Sequence, residues 1–285
     1  MKLATFTTGT APELGIVDGK QIVCLSRAAP ALAGDMIDLI ARWKQIEPEA
    51  RRISQAPSHT LKLEDVRLLA PILRPRKILA IGLNYADHIE ETGMPRPEHQ
   101  IWFSKMPTAI NGPFDPIDIP RAGPAVDFEA ELVAVIGAGG RHIAKSAAKD
   151  AVFGFCCGND VTERVWQMRT SQWILGKSFD THAPIGPWIT TADEVGDAHE
   201  LGIRCIVNGE KRQDSNTRNL VFNVWDQIEH LSEAMTLESG DILFTGTPGG
   251  VGFAMRPPKF LKAGDTVRVE IDRLGAIEAV CRPEG

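Results

Sequence analysis

The run DFEAELVAVIG at 127–137 constrains the fold more than any other stretch of the chain. Its second half is apolar and predicts a strand that enters a core, while its first half carries carboxylates at Asp127, Glu129 and Glu131. Side chains alternate along a strand, so these three project from one face. Three like charges in a row repel, and burying even one is costly unless it is neutralised. Two arrangements resolve the conflict. Either the acidic face is a solvated sheet edge, or a bound divalent cation neutralises it. Oxygen-only ligands suit a hard ion such as Mg²⁺ or Mn²⁺.

The rest of the composition narrows the function classes. A chain of 285 residues, 43% hydrophobic and 24% charged, is long enough for one large domain or two and for a sizeable core. A net charge of −6 with no basic cluster argues against a general nucleic-acid surface. No apolar run approaches the ~18 residues of a membrane span, and residues 1–6 lack the apolar run of a signal peptide. The cysteines at 24, 156, 157, 205 and 281 form no C-x-x-C pair. They argue against a structural zinc site and fit a reducing compartment, so the cytoplasm is the expected location.

Along the chain, residues 1–70 predict a small N-terminal α+β domain, and 71–285 the main one. The first holds β-type pieces at 3–8 and 15–24 with a turn at Asp18-Gly19, and a helix over 36–43. Its proline-bearing stretch from Pro48 to Thr60 reads as a connection. KILAIGL (77–83) is a buried strand running into a short helix over 84–93, with Asn84 as its cap and Gly93 as its stop. His88 and Glu91 share a face of that helix: either a base with its orienting carboxylate, or a surface ion pair. The proline-rich stretch 94–125 reads as a long ordered loop or a pair of short strands. GAGGRH (137–142) lacks the last glycine of a dinucleotide fingerprint and follows an acidic strand, so it reads as a turn.

A buried strand over 153–158 leads to Asp160, a third candidate ligand or an ordinary turn aspartate, with Cys156 and Cys157 as core residues. A helix carrying Trp166 to Arg169 and then Trp173 follows. Lys177 sits in a Gly/Pro-bounded segment, either on the surface or as a cation beside a metal. Asn208-Gly209 signals a hairpin, 223–235 an amphipathic helix, and 266–272 with 276–282 a closing hairpin. The loop GTPGGVG (246–252) has no Gly-Lys-Ser/Thr and is not a P-loop, yet its backbone N–H groups suit a carboxylate.

In order, NYADHIEE (84–91), DFEAELVAVIG (127–137), GNDVTER (158–164), GKSFDTHAPIGP (176–187) and TGTPGGVG (245–252) resemble the fumarylacetoacetate hydrolase superfamily, in its acylpyruvate and 2,4-dioxo acid hydrolase-like branch. The resemblance runs from about residue 72 to the C-terminus. It implies an α+β, mostly β fold: a mixed, sandwich-like β-roll catalytic domain with flanking helices behind the N-terminal domain, assembled as a homodimer. It implies Glu129, Glu131 and Asp160 as ligands of Mg²⁺ (or Mn²⁺), leaving Asp127 outside the ligand set or facing solvent. It also implies His88, Glu91 and Lys177 as catalytic residues, and Gln167, Gly246 and Thr247 as substrate-binding. Trp102, Trp166, Met168, Arg169 and Trp173 are candidates for the acyl end. Many members carry alanine at position 163 and aspartate at 165, where this chain has Glu163 and Val165, so the surroundings of Arg164 are expected to differ.

The implied activity is metal-dependent cleavage of the C3–C4 bond of a 2,4-dioxo acid to pyruvate and a carboxylic acid. Oxaloacetate decarboxylation or enol–keto isomerisation on the same site are the alternatives. A nicotinamide dehydrogenase and a non-catalytic metal-binding protein rank behind them. The expected partner is a small 2-oxo acid, with neither nucleic acid nor membrane.

Overall fold

A computed structural model describes residues 1–9 and 11–285. The strand Ala130–Ile136 is buried along its whole length, because apolar layers cover both of its faces. Leu132, Ala134 and Ile136 belong to one core, together with Val207, Val269 and Ile277. Val133 and Val135 belong to another, with Leu3, Ile16 and Phe244. A strand buried on both sides has no use for alternation, which explains the continuous apolar run.

Ala130–Ile136 lies inside a twelve-stranded sheet, between Val152–Asn159 and Ile242–Phe244. Beyond Val152–Asn159 come Ala183–Thr191 and then the N-terminal strands Lys2–Thr7, Glu13–Asp18 and Gln21–Cys24. On the other side Ile242–Phe244 pairs in parallel with Ile78–Gly82, which pairs with Ile101–Lys105. A second, five-stranded sheet runs Glu210–Asn216, Gly202–Val207, Thr266–Ile271, Gly275–Pro283 and Ile117–Ile119. The result is the mixed, strand-dominated fold with short flanking helices. Among the described residues no helix is long and apolar enough to cross a membrane, and all five cysteines are free and buried.

Local signals hold where the chain decides its own conformation. Asn208 and Gly209 have φ of 51° and 78°, as a type I′ hairpin turn requires. Asn223 forms a capping box with Asp226 at the start of the helix Val224–Ala234. Gly93 closes the helix Ala86–Thr92 in the left-handed region. The 137–142 segment is a turn: a Cβ at Gly139 would meet the Leu237 carbonyl oxygen at 2.0 Å. The strands beside it run antiparallel, not as a βαβ unit.

Four expectations are corrected. The stretch after residue 43 is not a connection but the helix Trp43–Gln55 with Pro48 inside it. Ile46, Ala50 and Ile53 fall on one face and pack on the core, which outweighs the local cost of the proline. Asn84 is not a cap, since Tyr85 takes that position without a side-chain bond. Instead Asn84 Nδ2 donates to the carbonyls of Phe222 (3.0 Å) and Thr245 (2.8 Å), and its Oδ1 accepts from Phe222 N (2.9 Å). The helix expected after residue 163 is two short ones, Arg164–Met168 and Ile174–Lys177. Stretch 94–125 holds three short strands, Ile101–Lys105, Ile110–Asn111 and Ile117–Ile119.

Candidate active site

The acidic run breaks where its chemistry begins. Val126–Asp127 pairs with Thr162–Glu163, and regular pairing with Val152–Asn159 resumes only at Ala130. Across the break Glu129 N donates to Asn159 Oδ1 (3.0 Å) and Asp160 N donates to Glu129 O (2.9 Å). This clamps Glu129 and Asp160 together. One oxygen each from Glu129, Glu131 and Asp160 lies within 4.8 Å of the others, and all three residues are buried. The solvated-edge arrangement is therefore excluded.

Asp127 does not join them, and it does not face solvent, being fully buried. Its carboxylate accepts from Gly252 N (2.8 Å), Phe253 N (2.9 Å) and Arg164 Nε (2.9 Å). Asp127 thus supplies the carboxylate that orients Arg164. Glu163 caps the helix behind it, accepting from Trp166 N (2.7 Å) and Ala125 N (3.0 Å). Arg164 is thus held by Asp127, while Glu163 serves the helix start and Val165 is exposed.

Cations balance most of the cluster. Lys177 Nζ lies 2.6 Å from both Glu129 Oε2 and Asp160 Oδ2. Arg164 Nη2 reaches Glu129 Oε1 at 2.7 Å. Lys105 Nζ, fully buried, contacts Asp160 Oδ1 at 2.6 Å and the Val161 carbonyl at 3.2 Å. Nothing in the sequence singled out Lys105; lying in the proline-rich stretch 94–125, it carried no signal of this contact. Burial raises the Glu129 carboxyl, but Lys177 and Arg164 outweigh it and hold it at about 2. Burial lowers Lys177 and Asp160 and Glu129 reverse that, so its pKa is raised; for Lys105 burial wins and the pKa falls.

Glu131 is the exception. Gly246 N donates to it at 2.7 Å, and among the described residues no cation touches it. Burial, with Asp160 and Glu129 beside it, pushes its carboxyl well above the usual carboxylate range. A dication held between the three carboxylates is the partner this group lacks, and an all-oxygen donor set suits Mg²⁺ or Mn²⁺. The residues fit the metal.

The opposite wall comes from the helix Ala86–Thr92. His88 Nδ1 stands 3.4 Å from Glu91 Oε2, and both Glu91 oxygens accept from Gly250 N at 3.0 Å. Burial raises the Glu91 carboxyl, but the bonds from His88 and Gly250 prevail and its pKa is lowered. Asp87 accepts from Gly249 N at 3.3 Å and from Ser215 Oγ. The helix is thereby laced to the 245–252 loop. Gln213, also missed in the sequence, holds the same loop from beneath: its Nε2 donates to Thr247 Oγ1 and the Pro248 carbonyl, each at 2.8 Å, and its Oε1 accepts from Ala130 N at 2.9 Å.

Between these walls lies a cavity of about 190 Å³. Its polar lining comprises His88, Glu129, Glu131, Gln167, Lys177 and Thr247, with Arg164 beside them. Its apolar lining includes Leu83, Met94, Phe103, Met168 and Trp173. Gly246 turns its N–H onto Glu131 and does not line the cavity. Of the five acyl-end candidates only Met168 and Trp173 line it. Trp102 packs on the core, and Arg169 stacks on Trp166 with 4.0 Å to the ring centroid. A larger cleft of about 1150 Å³, along Lys20, Phe114, Trp188 and Arg268, gathers no comparable acid–base cluster.

Comparison with known proteins agrees with this picture. The family model described as fumarylacetoacetate hydrolase C-terminal matches residues 77–282, and the Rv2993c-like N-terminal model matches residues 1–71. The mitochondrial oxaloacetate tautomerase of Xenopus laevis is 44% identical over 283 residues, 97% of this chain and 89% of that protein. The structure of maleylpyruvate hydrolase from Sphingobium sp. SYK-6, in complex with manganese(II) and pyruvate, superposes with a TM-score of 0.84 at 33% identity, covering all of both chains. The fumarylacetoacetate hydrolase of Exiguobacterium antarcticum does so with 0.85 at 33% identity, again over both whole chains. The chain belongs to the fumarylacetoacetate hydrolase family, whose enzymes include hydrolases and tautomerases.

Proposed function

We propose that this protein is a divalent-metal-dependent enzyme that binds a short 2-oxo acid and moves a proton at C3, interconverting the enol and keto forms of an oxaloacetate-like acid. The observation that carries this reading is the sharing of one small cavity by His88, the carboxylates Glu129 and Glu131, and Lys177. Tautomerisation needs one group that moves a proton and a positive environment for the enolate oxygen, and that cavity offers both. The 44% identity to a tautomerase over nearly the whole chain supports it.

In this mechanism Glu129, Glu131 and Asp160 hold the ion, which when bound supplies Lewis-acid polarisation of the acid's carboxylate and 2-oxo group. Toward the enol, His88 Nε2 takes the proton from C3 and the 2-oxo oxygen gains one from the imidazolium or from solvent. Toward the keto form the hydroxyl proton leaves and C3 regains its own, while Glu91 holds the imidazole through Nδ1. The Lys177 ammonium offsets the charge that develops on the 2-oxo oxygen. Gln167 and backbone groups near Thr247 orient the acid, and the apolar lining of the cavity excludes water from the reacting carbon. A homodimer with one such cavity in each protomer is part of the same proposal.

A second reading is hydrolytic cleavage of the C3–C4 bond of a 2,4-dioxo acid, with His88 activating water. The apolar lining by Leu83, Met94, Phe103, Met168 and Trp173 favours it, since it would take an uncharged acyl group that oxaloacetate lacks. Two assays separate the readings, each with and without Mg²⁺ or Mn²⁺. One follows the decay of enol-oxaloacetate absorbance. The other measures pyruvate release from acetylpyruvate, fumarylpyruvate, a 2,4-dioxo-3-deoxy sugar acid and oxaloacetate. Faster enol decay without pyruvate supports tautomerisation. Metal-dependent pyruvate with an equal amount of carboxylic acid supports hydrolysis, and pyruvate from oxaloacetate alone means decarboxylation. Silence in both assays overturns the proposal.

A further inference from the structure

Lys105 and Lys177 both touch Asp160, yet their surroundings differ. Lys105 is closed off: it bonds one Asp160 oxygen and the Val161 carbonyl, and it does not line the cavity. Lys177 lines the cavity and bridges two carboxylates, touching Glu129 Oε2 and Asp160 Oδ2 at 2.6 Å each. Both residues belong to the three-carboxylate group whose ligand atoms lie within 4.8 Å of one another. An ammonium at hydrogen-bond distance from two members of that group and a dication among all three draw on the same negative charge, and they repel each other. Lys177 has somewhere to go. Its four-carbon stem is flexible, and its Nζ already lies 4.8 Å from the ring centroid of Phe103, a π face on the cavity wall.

We propose that Lys177 competes with the dication for Glu129 and Asp160, so that metal binding drives the Lys177 ammonium off these carboxylates and into the cavity. The inference rests on the metal-dependent reading above and adds a coupling to it. The ammonium then reaches the 2-oxo oxygen only in the loaded enzyme, so the charge that stabilises an enolate is presented only when the ion is in place. Lys105, anchored on the Val161 carbonyl, stays on Asp160 and keeps that carboxylate from rotating. Lys177 is the moving cation and Lys105 the fixed one.

The test is Mn²⁺ binding to the full chain without substrate, read by electron paramagnetic resonance of free Mn²⁺, for wild type, Lys177→Met and Lys105→Met. Losing a charge-assisted competitor should tighten Mn²⁺ binding by about tenfold or more in Lys177→Met, and by clearly less in Lys105→Met. Lys177→Gln is the second variant should the first not fold. A measurement on wild type alone accompanies it: reductive methylation with formaldehyde, mapped by mass spectrometry, should label Lys177 faster with Mn²⁺ than without, and leave Lys105 unlabelled. Mn²⁺ binding in Lys177→Met no tighter than in wild type overturns the competition while leaving the metal site standing. Equal tightening in both variants also overturns it, because a general charge effect then suffices. No Mn²⁺ binding by any of the three proteins overturns both this inference and the metal-dependent reading.

Discussion

His88 is the one acid–base side chain on the wall that faces the carboxylates, and its partner Glu91 is held by Gly250. Replacing His88 with alanine should therefore lower turnover by about 10²–10⁴-fold and leave Mn²⁺ affinity unchanged. Steady-state rates with a parallel metal titration check this, and an undiminished rate would remove His88 from the mechanism. Glu131 has the opposite profile. Glu131→Gln should weaken Mn²⁺ binding by at least the roughly 10–100-fold that loss of an outer partner costs. It should not lower the melting temperature in chelator, because the change removes a buried carboxylate that no cation offsets. His182 titrates for a different reason. It is fully buried with Nε2 2.9 Å from the Asp118 carbonyl, and burial lowers its pKa from 6.5 to about 4. Between those values the unfolded chain binds a proton that the folded chain refuses, so stability falls as pH falls. The loss from pH 7 to pH 5 should be about 2 kcal/mol. His182→Gln, which keeps a donor for Asp118, should flatten that dependence in thermal melts at the two pH values.

At the scale of elements, the 245–252 loop is held from two sides. The helix Ala86–Thr92 offers Asp87 and Glu91 to Gly249 and Gly250, and the strand Glu210–Asn216 offers Gln213 to Thr247 and Pro248. Gln213→Ala leaves buried donors and acceptors unpaired and should cost about 1–3 kcal/mol in denaturant unfolding. In kinetics it should raise KM more than it lowers kcat, because the loop positions the acid and does not carry the proton. Elements shaped by near neighbours were legible in the sequence: the Asn208-Gly209 hairpin, the amphipathic helix begun at 223, the stop at Gly93. Those shaped by distant partners were not. Asn84 looks like a cap until Phe222 and Thr245, far along the chain, claim its side chain. Pro48 looks like a helix breaker until the core claims Ile46 and Ile53.

For the whole molecule, the N-terminal strands are part of the main sheet. Leu3 pairs with Ile189, and Leu3, Ile16 and Val23 share a core with Val133, Ile185 and Phe244. Removing residues 1–70 exposes that apolar layer, so a chain of residues 71–285 should aggregate or lose most of its thermal stability. Circular dichroism melts against the full chain check this, and an equally cooperative melt would make residues 1–70 energetically separate. The sequence by itself determined the strand that enters the core, the pairing of His88 with Glu91 on one helix face, and the order of motifs that marks the family. Each is a matter of spacing along a few residues, where the pitch of a helix or the alternation of a strand dictates what meets. Spacing alone did not decide which carboxylates converge: the family resemblance implied Glu129, Glu131 and Asp160, and only the tertiary structure supplied the physical reason. Alternation puts Asp127 with Glu129 and Glu131, but the break in pairing before Ala130 sends Asp127 to Arg164 and lets Asp160 take its place. The tertiary structure also brought Lys105, at the end of a strand, and Lys177, at the end of a short helix, onto the same carboxylate, and set Gln213 under the loop beside them. Charges buried together must be balanced wherever the chain can supply a partner, and sequence spacing carries no record of that balance.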